Sequence, residues 1–274
     1  MQTIVLKPMI TTSLLKTRFE DLYARFNKRD MVHPDPLEFL YDYPHTLDRE
    51  IAGLISSSLA YGRVAQILKS VSLVLGRMSE PAKFLSRSGW PEIRDTFEDF
   101  RHRFTSGQEI AQLLFSTKKV IETHGCLERY LLSCLGPADD TIAPTLSRFT
   151  KGIWAVTGVK SMYILPDPAM GSACKRLFLF LRWMVRCDQV DPGGWTNIPP
   201  SKLIIPLDAH MFRLAKGIGF TDRRQTNLKT ALEITERFRE MEPRDPVKYD
   251  FVLTRFGIRP DMDCKTLINT LTSS

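Results

Sequence analysis

Apolar residues recur along this chain at steps of three and four rather than two, so the elements they predict are helices. Leu15, Phe19, Leu22, Tyr23 and Phe26 form the first stripe, with Ser13 as candidate N-cap. A second, longer pattern runs through Leu47, Ile51, Leu54, Ile55, Ile67, Leu68 and Val71. Its middle, Ser56-Ser57-Ser58, is small and polar where a core helix is normally larger and apolar, so a break or a functional surface is expected near Tyr61-Gly62-Arg63. SGQE at 106–109 is a capping box, and Ile110, Leu113, Leu114 and Ile121 follow it on one face.

In the second half, Lys175 to Arg186 reads as one short helix, and Asp208 can cap another that runs to Gly219. Leu228, Leu232 and Phe238 mark the next helix, which stops near Pro243. Asp245-Pro246 then supplies a cap and a first-position proline for a closing helix that ends at Gly257. Residues 188–206, rich in proline and glycine, are the least regular stretch. No pair of alternating strands and no internal repeat is visible, so the expected fold class is all-α.

Composition narrows the partner more than the fold. Hydrophobic residues make up 43% and charged residues 25% of the 274, the balance of an ordinary globular protein able to bury a core without metal or disulfide. Lys and Arg number 38 against 31 Asp and Glu, a formal charge of +7. That excess favours a polyanion, because each neutralised phosphate releases condensed counterions, although a merely soluble basic surface reads the same way. Cys126, Cys134, Cys174, Cys187 and Cys264 form no C-x-x-C pair and no zinc or iron–sulfur spacing. Scattered free thiols, an N-terminus without a cleavable signal and the absence of a run of ~20 apolar residues predict a cytoplasmic protein with no metal and no cofactor.

The candidate chemistry lies in LPDPAMGSACKRLFLFLRWMVR, 165–186, and IIPLDAHMFRLAKGIGF, 204–220. Pro166, Pro168 and Gly171 predict a tight turn whose backbone amides can hold a phosphate, with a helix starting near Ser172. On that helix Lys175, Arg182 and Arg186 share one side, at steps of seven and four. A basic stripe on an otherwise apolar helix either lines a cleft or pairs with buried acids such as Asp188 or Asp250. Partial burial would loosen the proton on Lys175 and leave a nucleophilic amine. Asp208, held by backbone amides at a helix start, stays ionised and can accept that proton or stabilise positive charge on a sugar.

The order of hairpin, lysine-bearing helix, connection and P-x-D-x-H-x-x-R resembles the helix-hairpin-helix DNA glycosylase superfamily. IPLDAHMFRLAKGIG, 205–219, looks like that superfamily's catalytic-aspartate segment, and Lys175 takes the place of the Schiff-base lysine of its bifunctional members. The 33-residue step from Lys175 to Asp208 resembles the archaeal 8-oxoguanine glycosylases more than the endonuclease III branch. The hairpin reads LPDPAMG in place of L-P-G-V-G, and the four-cysteine cluster of that branch is absent. Over roughly 15–260 the chain is also similar to an uncharacterised bacterial protein family carrying GSACKRL, FLRWMVR and DPVKYDF blocks.

The resemblance implies two helical lobes flanking a cleft, lobe A over 45–165 and lobe B over 12–44 plus 166–274, in a single unit. It implies base-excision activity with abasic-site lyase chemistry on duplex DNA containing a damaged base, an oxidised purine among the candidates, with no membrane and no obligate protein partner. Tyr61, Phe178, Trp183, Trp195 and Phe212 are the candidate rings for stacking on an extruded base, Trp195 also being a natural loop anchor and Phe178 a natural core residue. Arg63, Arg182, Arg186 and Arg213 are candidate phosphate or carboxylate partners, Gly171 and Ser172 candidate backbone contacts, and His210 a supporting residue beside the substrate rather than a base. Two rival readings change the chemistry: a DNA-binding protein on the same fold without catalysis, and a helical enzyme acting on RNA or nucleosides.

Overall fold

The computed structural model describes residues 11–259 and 261–273. Thirteen α-helices carry the chain: α1 (Thr12–Phe26), α2 (Thr46–Ser58), α3 (Val64–Met78), α4 (Pro81–Arg87), α5 (Trp90–Phe97), α6 (Gly107–His124), α7 (Leu127–Ser133), α8 (Ile142–Val156), α9 (Lys175–Val185), α10 (Ala209–Gly217), α11 (Leu228–Met241), α12 (Asp250–Ile258) and α13 (Cys264–Thr272), among the described residues. Between α5 and α6, β1 (Arg101–His102) and β2 (Thr105–Ser106) form a minimal antiparallel hairpin, the one sheet among those residues. The protein is therefore all-α, as its periodicity predicts. No helix of the described residues is long and apolar enough to cross a membrane.

Helix starts follow side-chain capping. Thr11 caps α1 in place of Ser13, Ser106 caps α6 through the Glu109 amide, and Asn227 caps α11 through Thr230. Prolines open α4 and α5, where a missing amide hydrogen costs nothing. The closing segment differs from its expected form. Asp245-Pro246 begins a turn rather than a helix, α12 starts at Asp250, and α13 adds an element beyond it.

Helix α9 is the centre of the packing. Nine consecutive residues, Leu177–Val185, are buried, so the helix is covered on all sides over that length. It lies against α2, itself buried from Glu50 to Ser58. Close approach requires small side chains: a Cβ at Gly53 would stand 3.3–3.4 Å from Leu40, Met184 and Phe180. Ser56-Ser57-Ser58 serve the same dense layer, fully buried within α2, while the chain breaks at Leu59–Arg63. The three serines are thus interior packing, and the expected break falls at Tyr61-Gly62-Arg63.

Glu50, with no exposed surface, ties three segments together. Its carboxylate accepts the Leu127 amide at 2.7 Å and the Trp195 indole N–H at 2.9 Å, fastening α7 and the irregular 188–206 stretch to α2. Burial pushes its carboxyl up to about 7, only partly opposed by those two hydrogen bonds. The folded state therefore holds the proton more tightly than the unfolded chain between pH 4.5 and about 7. That contribution is complete below the lower value and is lost as pH rises through the upper one. Urea unfolding of wild type and Glu50→Gln at about pH 5 and about pH 8 is expected to show the wild-type advantage shrinking by up to about 3 kcal/mol at the higher pH. A difference independent of pH would contradict this assignment.

Candidate active site

Two helix starts, far apart in sequence, place an amine beside a carboxylate. Lys175 is the first residue of α9, which begins abruptly because Cys174 adopts a left-handed conformation at φ 45°. Asp208 is the N-cap of α10, and its Oδ1 accepts the amides of His210 at 2.9 Å and Met211 at 2.8 Å. That leaves Oδ2 for the Lys175 Nζ, 3.0 Å away. Burial raises the Asp208 carboxyl, but the Lys175 charge and the Met211 amide outweigh it and hold the group below the ordinary aspartate value. The side chain of Lys175 keeps a third of its surface, so its desolvation is partial and the adjoining acceptor is the larger structural fact.

The pair faces a cavity of about 330 Å³. This volume sits at the low end of the ~300–1,000 Å³ common for small-molecule sites. One wall comes from Ala60, Tyr61 and Gly62 with Val64 and Ile67 of α3. The rest of the lining comes from Pro34-Asp35-Pro36, α9, the segment Pro206 to His210, and α12. Within α12, Gly257 permits His210 to lie flat on the helix backbone, since a Cβ there would fall 2.2 Å from the His210 Nδ1.

Beneath the pair is a buried charge cluster. Arg182, 2% exposed, binds Asp191 and Asp250, and Arg186, 4% exposed, binds Asp191, Asp188 and Asp245. Of the two readings open for this basic stripe, the structure takes the paired one. Both guanidinium groups are committed to internal carboxylates; Arg186, outside the cavity lining, is corrected as a DNA contact, while Arg182 also borders the cavity. Asp250 belongs to this cluster and also lines the cavity. Burial drives its carboxyl up to about 6, against the pull of Arg182 and with the push of nearby Asp208, and its Oδ1 has no hydrogen-bond partner. As a cavity residue Asp250 was not anticipated, nor was Arg255, whose Nη2 binds Asp35 Oδ2 at 2.6 Å. The available signal was two ionisable residues inside the apolar helix DFVLTRFGI.

Tyr61 and His210 line the cavity, and Arg63 is exposed next to its rim. Apart from Arg182, the remaining expected contacts lie elsewhere. Trp183 and Phe178 are core residues without usable surface, and Trp195 is held inside by Glu50, so none of the three can stack on a base. Phe212 is half-buried against the core and Arg213 exposed, both outside the cavity lining. Gly171 has the expected left-handed conformation, but its amide donates to Pro168 O and its carbonyl accepts from Leu228. The Ala169, Met170 and Cys174 amides are also satisfied internally, and Ser172 forms a bridge with Asn227. The 166–174 turn therefore lacks the row of free amides expected to hold a phosphate. Lys248 and Tyr249 point away from the cavity, both bonded to Glu20.

Fold and site together define a class: an all-helical protein with an amine–carboxylate pair at the wall of a cavity. The chain belongs to the family described as Protein of unknown function (DUF2400), which matches residues 35–259 and so spans both members of the pair. No curated protein and no solved structure matches it.

Arg182→Met is expected to leave Asp191 and Asp250 buried with part of their compensation gone, at a cost of about 3–5 kcal/mol in unfolding free energy. Chemical denaturation measures this directly. Retained stability with weakened nucleic-acid binding would instead return Arg182 to the role of a ligand contact.

Proposed function

We propose that the protein is a base-excision DNA N-glycosylase with an associated abasic-site lyase activity. The observation that carries the reading is the 3.0 Å contact between Lys175 Nζ and Asp208 Oδ2 at the wall of a cavity. It is supported by the +7 formal charge, which suits a phosphate backbone, and by the resemblance of both segments to the helix-hairpin-helix glycosylases.

In this reading Asp208 accepts a proton from Lys175 and frees its lone pair. The amine attacks the anomeric carbon of an extruded nucleotide as the bond to the base breaks, and the base departs with that bonding pair. Ring opening gives an iminium between Nζ and the sugar carbon. Between those steps Asp208, held by two amides at the start of α10, hands the Lys175 proton to the departing base and is restored as a carboxylate that stabilises the positive charge of the sugar-derived iminium. A C2′ proton then passes to the ionised Asp208, and the electron pair it leaves behind expels the 3′ phosphate by β-elimination. Tyr61 and His210 are the rings available to flank the base. An oxidised purine is the first base to test.

Borohydride reduction in the presence of oligonucleotides carrying 8-oxoguanine, uracil or a preformed abasic site tests the proposal. A covalent protein–DNA adduct is expected with wild type and none with Lys175→Ala. Asp208→Asn is expected to slow base release by roughly a hundredfold or more. Absence of a Lys175-dependent adduct with every one of these substrates would remove the enzyme reading.

A further inference from the structure

A second feature begins at the rim of the cavity and faces solvent. The turn of the β1–β2 hairpin presents Phe104 with 70% of its surface exposed, and Tyr163, from the segment between α8 and α9, is 49% exposed. Their ring centroids are 5.7 Å apart in an edge-to-face arrangement. Tyr163 in turn meets Tyr61 at 5.4 Å, and Tyr61 lines the cavity. Three aromatic rings thus lead from the cavity to open surface.

The inner ring is anchored, and the row carries positive charge. The Tyr61 hydroxyl is fixed between His102 O at 2.8 Å and Thr105 Oγ1 at 2.7 Å. Arg176 lies 4.9 Å from the centroids of both Tyr61 and Tyr163, donating to the carbonyls of Ser58 and Tyr163. Arg103 approaches the Phe104 ring at 5.7 Å. Arg63, Arg101, Arg103 and Arg176 form no ion pair with a carboxylate among the described residues. Glu109 acts on Arg176 through space but is engaged by the Ile164 amide. Arg182 and Arg186, by contrast, are both met by buried carboxylates.

Solvent-exposed rings interleaved with unpaired guanidinium groups match one kind of occupant. Aromatic faces stack on any base whose own face is uncovered, and arginines attract the intervening phosphates. Bases inside a duplex are covered by their neighbours above and below, so the rings can stack only where a strand is unpaired. We propose that Phe104, Tyr163 and the surrounding arginines bind an unpaired stretch of polynucleotide leading to the cavity. The proposal rests on the nucleic-acid reading above and adds that the strand is presented single, not fully paired.

Fluorescence anisotropy with labelled oligothymidylate and with a labelled blunt hairpin duplex tests it on the intact protein. Neither probe carries a lesion, so binding is read without any base release, and failure here is separable from failure of the borohydride experiment. Phe104→Ala and Tyr163→Ala are each expected to weaken oligothymidylate binding about tenfold, while duplex binding changes less than about threefold. Phe104→Trp, which keeps a ring, and Leu73→Ala, which removes an exposed apolar residue elsewhere, are expected to retain wild-type affinity. No oligothymidylate binding by wild type, no effect of removing the rings, or equal loss on both probes would overturn the proposal.

Discussion

The arrangement depends on satisfying two buried guanidinium groups. Helix α9 is apolar enough to be the innermost element, yet it carries Arg182 and Arg186 on the side that continues from Lys175. Unpaired charges at that depth would be prohibitive, so the fold must bring carboxylates to them. Asp188, Asp191, Asp245 and Asp250 arrive from the segment after α9 and from the end that starts α12. The cluster therefore clamps the C-terminal helices and the 188–206 stretch onto the central helix. Hydrophobic burial alone is not directional and would tolerate several arrangements of these helices; a set of charge pairs is more selective.

The cavity inherits its form from that clamp. With Arg182 anchored at both ends, α9 has a fixed rotation, and Lys175 two turns earlier emerges toward the segment that caps α10. Asp208 is oriented by its own cap bonds, one carboxylate oxygen taken by amides and the other left to the amine. Neither residue depends on a flexible loop for its position. Asp250 joins the two layers, paired to Arg182 below and facing the cavity above, which is why its carboxyl is held between competing influences.

Much of the fold was legible because periodicity and caps are local. The break between α2 and α3, the Ser106 cap, the Asp208 cap and the end of α11 near Pro243 all follow from short-range rules. The errors have equally specific causes. Asp245-Pro246 has the composition of a helix start, but the carboxylate of Asp245 is drawn to Arg186, and the helix begins five residues later. Trp183 and Trp195 carry the ring chemistry of a binding site, but the packing of α9 on α2 and the carboxylate of Glu50 hold them inside. Phe104 and Tyr163 escaped notice for a different reason: each lies in a connection outside any helical stripe, and only the packing brings their rings together.

By itself, the order of residues determined that the protein is helical and that Lys175 and Asp208 each stand at a helix start, because a stripe and a cap need only a few neighbouring positions. It also limited Arg182 and Arg186 to two roles. Choosing between those roles required the tertiary structure, since the cost of a buried charge depends on which carboxylates reach it from distant segments. The meeting of the amine with the carboxylate, the enclosure of the cavity and the exposure of the aromatic row are likewise properties of helix packing, where contacts are long-range and no local pattern records them.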